Sequence, residues 1–137
     1  MVRYGSTPII PGEAQGSSLV LDQPLSWWGG VDPVTGTVID RNHPRRGTCL
    51  TGRILILPHG RGSSGGSAVL AESMRLQTAP SALILREVDP ILVVGVAAGM
   101  ELYENTTCPL LVADSVYHRL STNRPTRVYR DGTIEQS

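Results

Sequence analysis

The stretch that decides the fold is GRILILPHGRGSSGGSAVLAESMRL, residues 52–76. Within it, residues 53–57 lie between a glycine and a proline and are continuously apolar after Arg53, which predicts a strand buried on both faces. A glycine-rich loop follows over 59–66, and residues 67–76 then have helical spacing. Residues 82–85 have the pattern of a second buried strand. This order predicts a βαβ unit with parallel strands.

The rest of the chain adds mostly extended structure around that unit. Turn and strand signals predict an extended opening at 8–12, a strand at 18–21, a long loop or hairpin region over 24–44, a helix over 90–99, a strand at 109–112 and a hairpin near 126–134. We therefore expect one α/β domain, residues 1–137, with a mixed, barrel-like sheet around the central βαβ unit.

Composition excludes several classes of function. The formal net charge of +0 argues against a nucleic-acid partner. No apolar run approaches the ~20 residues of a membrane span, and no signal segment opens the chain, which predicts a cytoplasmic protein without a membrane partner. All basic residues are arginines, so this chain has no lysine for a Schiff base or a P-loop. Cys49 and Cys108 are far apart in the sequence, which predicts no metal site in this chain alone. We expect both to be small side chains that fill space in the core.

The loop over 59–66 can carry chemistry. Its glycines allow backbone N–H groups to turn inward together at a helix N-terminus, which forms an anion site that Arg61 would strengthen. A serine there, Ser63 or Ser64, can have its alkoxide stabilised and move toward the role of a base. The alternative is a purely structural loop, because most Gly-Ser segments before helices are caps and turns.

A second group of candidates surrounds the motif Ser-Trp-Trp-Gly-Gly-Val-Asp-Pro, residues 26–33. Adjacent tryptophans cannot both enter one core from a strand, so Trp27 or Trp28 should lie at a surface, where it could form a pocket wall or a subunit contact. The accompanying candidates for a pocket or interface are Gly29, Gly30, Asp32, His43 and His59. Asp32 before a proline also fits a simple turn, and a lone histidine in a loop is usually neither a ligand nor a base.

Several of these motifs in fixed order closely resemble the small subunit of aconitase X. The match runs over residues 13 to about 100 and consists of the segment 24–36, His43-Pro44, the segment 52–58, Gly60-Arg61-Gly62-Ser63-Ser64, Ala79-Pro80 and Asp89-Pro90-Ile91.

The resemblance implies a swivelling β/β/α domain that closes over a large catalytic subunit, and that partner would carry an iron or iron–sulfur centre. By motif position, the proton-abstracting base of the wider superfamily falls on Ser63. Ser64, with Gly62 and Gly65, would support the anion site, and Arg61 would bind a substrate carboxylate or stabilise the alkoxide. Classical aconitases have Arg-Glu after the serines, whereas this chain has two glycines there, so those substrate contacts must come from elsewhere.

The resemblance also implies a substrate. The Trp-Trp-Gly-Gly-Val-Asp-Pro and His-Pro features look more like the members that dehydrate cis-3-hydroxy-L-proline to Δ1-pyrroline-2-carboxylate, with the partner's metal polarising the leaving hydroxyl. Two alternatives stay open. One is the small subunit of a dehydratase acting on mevalonate 5-phosphate, and the other is an anion-binding module without catalysis.

Overall fold

The computed structural model describes every residue from Met1 to Ser137 and contains ten strands, two α-helices and one short 3-10 helix. In chain order the elements are β1 (Val2–Tyr4), β2 (Thr7–Ile10), β3 (Ala14–Val20), β4 (Val31–Asp32), β5 (Thr37–Val38), β6 (Ile54–Leu57), α1 (Gly66–Arg75), β7 (Ala82–Leu85), α2 (Pro90–Leu102), β8 (Leu110–Val112), the 3-10 helix (Tyr117–Arg119), β9 (Pro125–Val128) and β10 (Ile134–Gln136).

Eight of the strands form one mixed sheet in the order β1-β10-β9-β3-β6-β7-β8-β2. The four central strands β3, β6, β7 and β8 run parallel, and the outer pairings are antiparallel. Helix α1 connects β6 to β7, so the predicted βαβ unit is confirmed. A second crossover through α2 connects β7 to β8, and β4 with β5 forms a separate small hairpin inside the region expected to be loop.

The sheet curls until its two edges are neighbours. A flat sheet of eight strands would separate β1 from β2 by about 33 Å, yet only Gly5 and Ser6 lie between them in the chain, and that link spans at most about 11 Å. Ser6 Oγ donates a 2.6 Å hydrogen bond to the Gly132 carbonyl, which fastens the junction. The barrel-like character expected from the sequence is confirmed.

Every residue of β6 and β7 is buried, and the side chains alternate between two clusters. Leu55 and Leu57 pack on the side of α1 and α2, whereas Ile54 and Ile56 belong to the opposite cluster with β9, β10 and Tyr117. Full burial of such a side chain is worth about 1.5–3 kcal/mol. A continuous apolar run is therefore required here, because neither face of these strands meets water.

Helix α2 begins as the sequence predicts and ends one turn later. The Asp89 side chain accepts hydrogen bonds from the amides of Ile91 and Leu92, and Pro90 occupies the first turn. The helix continues past Gly99 to Leu102 because Gly99 packs against α1 and does not terminate α2: a β-carbon on it would lie 2.6 Å from Met74 Sδ. Neither helix has the length and apolar character needed to cross a membrane.

The other differences from the sequence expectations concern where one strand begins and the presence of short elements. Strand β3 begins at Ala14 rather than at residue 18, and β1 and the 3-10 helix had no clear signal. These elements are short or polar on one face, and they form because a neighbouring strand or core cluster supplies partners. Tyr117, for example, is buried and donates a 2.6 Å hydrogen bond to the Leu21 carbonyl.

The contact between α1 and α2 predicts opposite outcomes for two glycines of α2. A β-carbon on Gly95 would lie 3.0 Å from the backbone oxygen of Ser67, which can move only with α1, whereas the atoms nearest Gly99 belong to the flexible Met74 side chain. Gly95→Ala should lower the free energy of unfolding by about 1–3 kcal/mol despite alanine's higher helix propensity. Gly99→Ala is the matched control and should change it by less than about 1 kcal/mol. Urea titration measures both, and equal effects would contradict the packing argument.

Candidate active site

The loop over residues 58–65 leaves the carboxyl end of β6 and leads into α1. Strand β7 is parallel to β6 and is followed by the capped start of α2, so both helices have their N-termini at this edge of the sheet. Ligands of parallel α/β sheets bind at the carboxyl ends of the strands. The order of elements therefore places the serine loop at the edge where an anion or a polar substrate is best received.

Ser63 lies on the exposed part of the loop, and its side chain already accepts a hydrogen bond. The Gly65 amide donates to Ser63 Oγ at 3.0 Å, and the Gly66 amide donates to the Ser63 carbonyl at 3.0 Å. The amides of Gly62, Ser63 and Ser64 donate to no atom of the chain. A donor aimed at Ser63 Oγ favours its anionic form, and unpaired amides beside a helix N-terminus favour a bound anion.

The backbone path of the loop depends on the segment before the tryptophans. Gly62 has φ +91°, and a β-carbon there would lie 2.7 Å from Ser26 Oγ. The Arg61 amide donates to the Leu25 carbonyl at 3.2 Å. Ser26 Oγ in turn donates to the Trp28 carbonyl at 3.0 Å. The tryptophan motif is therefore docked along the serine loop, which its distance in sequence does not reveal.

The two tryptophans point in different directions, as the sequence predicts. Trp27 is 1% exposed and belongs to the core, where its Nε1 has no hydrogen-bond partner, whereas Trp28 is 61% exposed. A β-carbon on Gly65 would lie 3.0 Å from Cε3 of Trp28 and 3.4 Å from Ser63 Oγ. The exposed indole of Trp28 thus packs against Gly65, which also neighbours the Ser63 hydroxyl.

The residues that follow the tryptophans shape the turn. Gly29 has φ +73°, which favours glycine, and a β-carbon on Gly30 would clash with the Ser26 carbonyl. Asp32 Oδ1 accepts a 2.9 Å hydrogen bond from the Val34 amide, so this carboxylate acts as a turn former. These residues therefore form the turn that follows Trp28.

The structure brings one further residue to the loop that sequence reasoning missed. Asp40 Oδ2 lies 3.3 Å from Arg61 Nη2, with 17% of the Asp40 side chain and 54% of the Arg61 side chain exposed. Asp40 comes just after β5 and is separated from Arg61 by 21 positions. No local motif connects the two, since the pairing depends on how the β4–β5 hairpin folds back on the loop.

The two candidate histidines, His43 and His59, form their hydrogen bonds and ion pair with residues other than Ser63. His43 is 5% exposed, its Nδ1 accepts a 3.0 Å hydrogen bond from the Arg45 amide, and its Nε2 has no partner. His59 has Nδ1 against the Gly60 carbonyl and Nε2 3.6 Å from Glu87 Oε1. His43 therefore supports the turn that begins at Asp40, while His59 stands at the exit of β6.

The chain's own residues do not fit a metal centre. No three or more His, Cys, Asp or Glu side chains converge at one point. Cys108 is buried as expected of a small filler, but the same prediction for Cys49 was wrong, because Cys49 is exposed. It opposes Thr37 across an isolated bridge beside the β4–β5 hairpin, and the next residue, Leu50, is the one buried in the core.

Fold and loop together define a class: a curled mixed α/β sheet that presents a Gly-Ser-Ser loop at the start of a helix. A family model described as "Aconitase X swivel domain" matches residues 3–136. The chain belongs to that family. The aconitase X structure of Thermococcus kodakaraensis superposes with a TM-score of 0.88 at 33% identity, covering 100% of this chain and 99% of that chain.

Two curated relatives carry different names. A cis-3-hydroxy-L-proline dehydratase of Pseudomonas aeruginosa is 47% identical over 95 residues, which cover 69% of this chain but only 16% of that protein. A phosphomevalonate dehydratase small subunit of Methanopyrus kandleri is 49% identical over 94 residues, covering 67% of this chain and 70% of that protein. Both relatives are named as dehydratases, and they differ in the substrate.

The two cysteines should differ sharply in reactivity. Burial raises the pKa of the Cys108 thiol to about 12, so it stays protonated and enclosed, whereas Cys49 is exposed. Iodoacetamide at a pH of about 8 should alkylate Cys49 alone in the native chain and both thiols in denaturant, because the thiolate is the reacting form. Peptide mass spectrometry identifies the modified residue. Native labelling of Cys108 would show that the core around β8 opens readily.

Proposed function

We propose that this chain is the small subunit of a hydro-lyase that dehydrates cis-3-hydroxy-L-proline to Δ1-pyrroline-2-carboxylate, with Ser63 as the base. The observation that carries the proposal is the 3.0 Å hydrogen bond from the Gly65 amide to Ser63 Oγ, at the exposed N-terminal end of α1. It supplies a donor to the oxygen that must become negative, and the helix end adds about half a positive charge. The named dehydratases among the relatives support the reaction class.

Each residue of the loop has a defined part in this reaction. Ser63 as alkoxide takes the proton from C2 of the substrate, the electrons of that C–H bond form the C2–C3 double bond, and hydroxide leaves C3. Ser63 then gives up this proton, which combines with the departing hydroxide to form water, so that the alkoxide is restored. The enamine product then tautomerises to the cyclic imine. The Gly65 amide stabilises the alkoxide, while the unpaired amides of Gly62 and Ser64 and the guanidinium of Arg61 bind the substrate carboxylate.

The charges and shape of the loop favour hydroxyproline over a phosphorylated acid. Mevalonate 5-phosphate carries a carboxylate and a phosphate, about −2.5 to −3 in total near neutral pH. The cation of this loop is Arg61, and Asp40 offsets it. A zwitterionic amino acid matches that balance better. The exposed indole of Trp28 also suits a saturated ring with a secondary ammonium, through apolar contact and cation–π attraction.

The second candidate is the small subunit of a phosphomevalonate dehydratase. The observation in its favour is the Methanopyrus relative of that name, which matches this chain at similar identity and over most of its own length. In that case further cations for the phosphate would have to come from the partner subunit. The anion-binding module without catalysis has no comparable support among the relatives.

A large catalytic subunit is part of the proposal. The relatives named "small subunit" imply such a partner. The Ser63 loop is exposed, so water would have to be excluded by another chain before an alkoxide could act on a carbon acid. We also propose that any iron or iron–sulfur centre belongs to that partner. Location in the cytoplasm stays a prediction.

Ser63→Ala tests the proposed base. The variant should lose at least about a thousandfold in kcat because the proton acceptor is gone. It should still form the complex, because it loses one side-chain hydrogen bond, from the Gly65 amide, and keeps the backbone contacts of the loop to Leu25 and Gly66. Ser64→Ala removes a hydroxyl with no hydrogen bond in the chain and should lose less than about tenfold. Steady-state kinetics and size-exclusion chromatography of the complex measure both. Retention of most activity by Ser63→Ala would reject Ser63 as the base.

The substrate is tested on the co-expressed complex with its large subunit. We expect turnover of cis-3-hydroxy-L-proline, followed as the cyclic imine, at a kcat/KM at least about a hundredfold above that for mevalonate 5-phosphate, since the latter's extra charge is unmatched here. The purified 137-residue chain serves as the control and should show no dehydration. Turnover of the phosphorylated acid alone would establish the second candidate instead.

A further inference from the structure

The carboxylate of Asp40 has a separate partner for each oxygen. Oδ1 accepts a 2.9 Å hydrogen bond from the Asn42 amide, and Oδ2 lies 3.3 Å from Arg61 Nη2. One oxygen therefore fastens Asp40 to its own turn, and the other reaches across to the serine loop.

Asp40 is the fixed member of this pair. The Ile39 amide before it donates to the Gly30 carbonyl at 2.9 Å, and its own carbonyl accepts from the His43 amide at 3.2 Å. His43 is buried and closes the turn. Arg61 is a long side chain on an exposed loop and would otherwise sample many rotamers. The ion pair thus restricts Arg61 relative to the hairpin, rather than the reverse.

We propose that Asp40 is a positioning residue that holds the guanidinium of Arg61 ready for the substrate carboxylate, a role that rests on the proposed function of Arg61. A guanidinium has five N–H donors, and the contact with Asp40 engages one of its nitrogens, so others are left for a carboxylate. Holding the fork before binding removes part of the ordering cost that binding would otherwise meet. Asp40 acts through Arg61 and does not touch the substrate.

Asp40→Asn in the complex with the large subunit separates positioning from competition. Positioning predicts an about five- to twentyfold rise in KM with kcat changed less than about threefold, because binding is weakened and the base is untouched. Asp114→Asn is the matched control: it removes the same charge from an exposed carboxylate without an ion pair, and KM should stay within about twofold. A lower KM in Asp40→Asn would mean that Asp40 competes with substrate for Arg61, which overturns the proposal.

A double-mutant cycle tells action through Arg61 from a general effect on the turn. In an Arg61→Ala background, Asp40→Asn should change KM by less than about twofold, since the residue it positions is absent. If Asp40→Asn instead disrupted the turn in general, its full effect on KM would also appear in the Arg61→Ala background. Additivity within about twofold of the product of the single effects would therefore refute the positioning role.

The test does not depend on which substrate is correct. Both candidate substrates carry a carboxylate, so the cycle is run with whichever acid the wild-type complex turns over. An independent readout is nitrogen-edited NMR of arginine guanidinium groups in the full chain, with Arg61 assigned by its loss in Arg61→Lys. Slow guanidinium rotation of Arg61 that becomes fast in Asp40→Asn, but not in Asp114→Asn, supports the ion pair. Identical Arg61 signals in the wild-type chain, Asp40→Asn and Asp114→Asn would overturn the positioning role, even where the complex shows no turnover.

Discussion

The pairing of β6 with β7 is the constraint on which the rest of the structure depends. Both strands are buried along their whole length, and their residues alternate between two core clusters. Parallel strands need a crossover, and here that crossover must pass through α1. The segment between β6 and α1 is therefore forced to the carboxyl edge of the sheet. The position of the serine loop follows from hydrophobic burial well before any catalytic requirement is considered.

The same burial explains why the loop is built from small residues. Gly60 approaches Asp89, which caps α2, and Leu92 within α2, and Gly65 approaches the indole of Trp28. Larger side chains at these two places would push the loop away from the helix starts. The glycines thus allow the Gly65 amide to reach Ser63 Oγ, and they leave the preceding amides unpaired. The close packing of the loop and the hydrogen bonding that the proposed function uses therefore depend on the same glycines.

The features that could be predicted from the sequence are those that depend on residues close together in the chain. The buried strands 54–57 and 82–85, α1 and the start of α2 were predicted correctly because the apolar pattern and the proline at position 90 are local signals. The Asp89 cap of α2 was not predicted. Closure of the barrel was suggested only in outline, since it depends on the edges meeting near Ser6 and Gly132. In the site, the prediction that one tryptophan lies at the surface was correct, although the two residues lie in a bend and a turn and not in a strand. The docking of Trp28 on Gly65 and the pairing of Asp40 with Arg61 could not be predicted, because the partners are joined only by the folded hairpin.

The charge arrangement around the loop also bears on why a second chain belongs in the proposed function. Ser63, Arg61 and Trp28 are all exposed, and exposed charges interact weakly because water screens them. An alkoxide beside a single amide donor in water gains little, whereas the same donor in an enclosed site gains much more. Covering the loop would strengthen the Gly65 hydrogen bond, the hold of Asp40 on Arg61 and the contact of Trp28 with a substrate at the same time. Under the proposed function, an open loop would therefore be weak by itself and would become effective only when a partner subunit covers it together with the substrate.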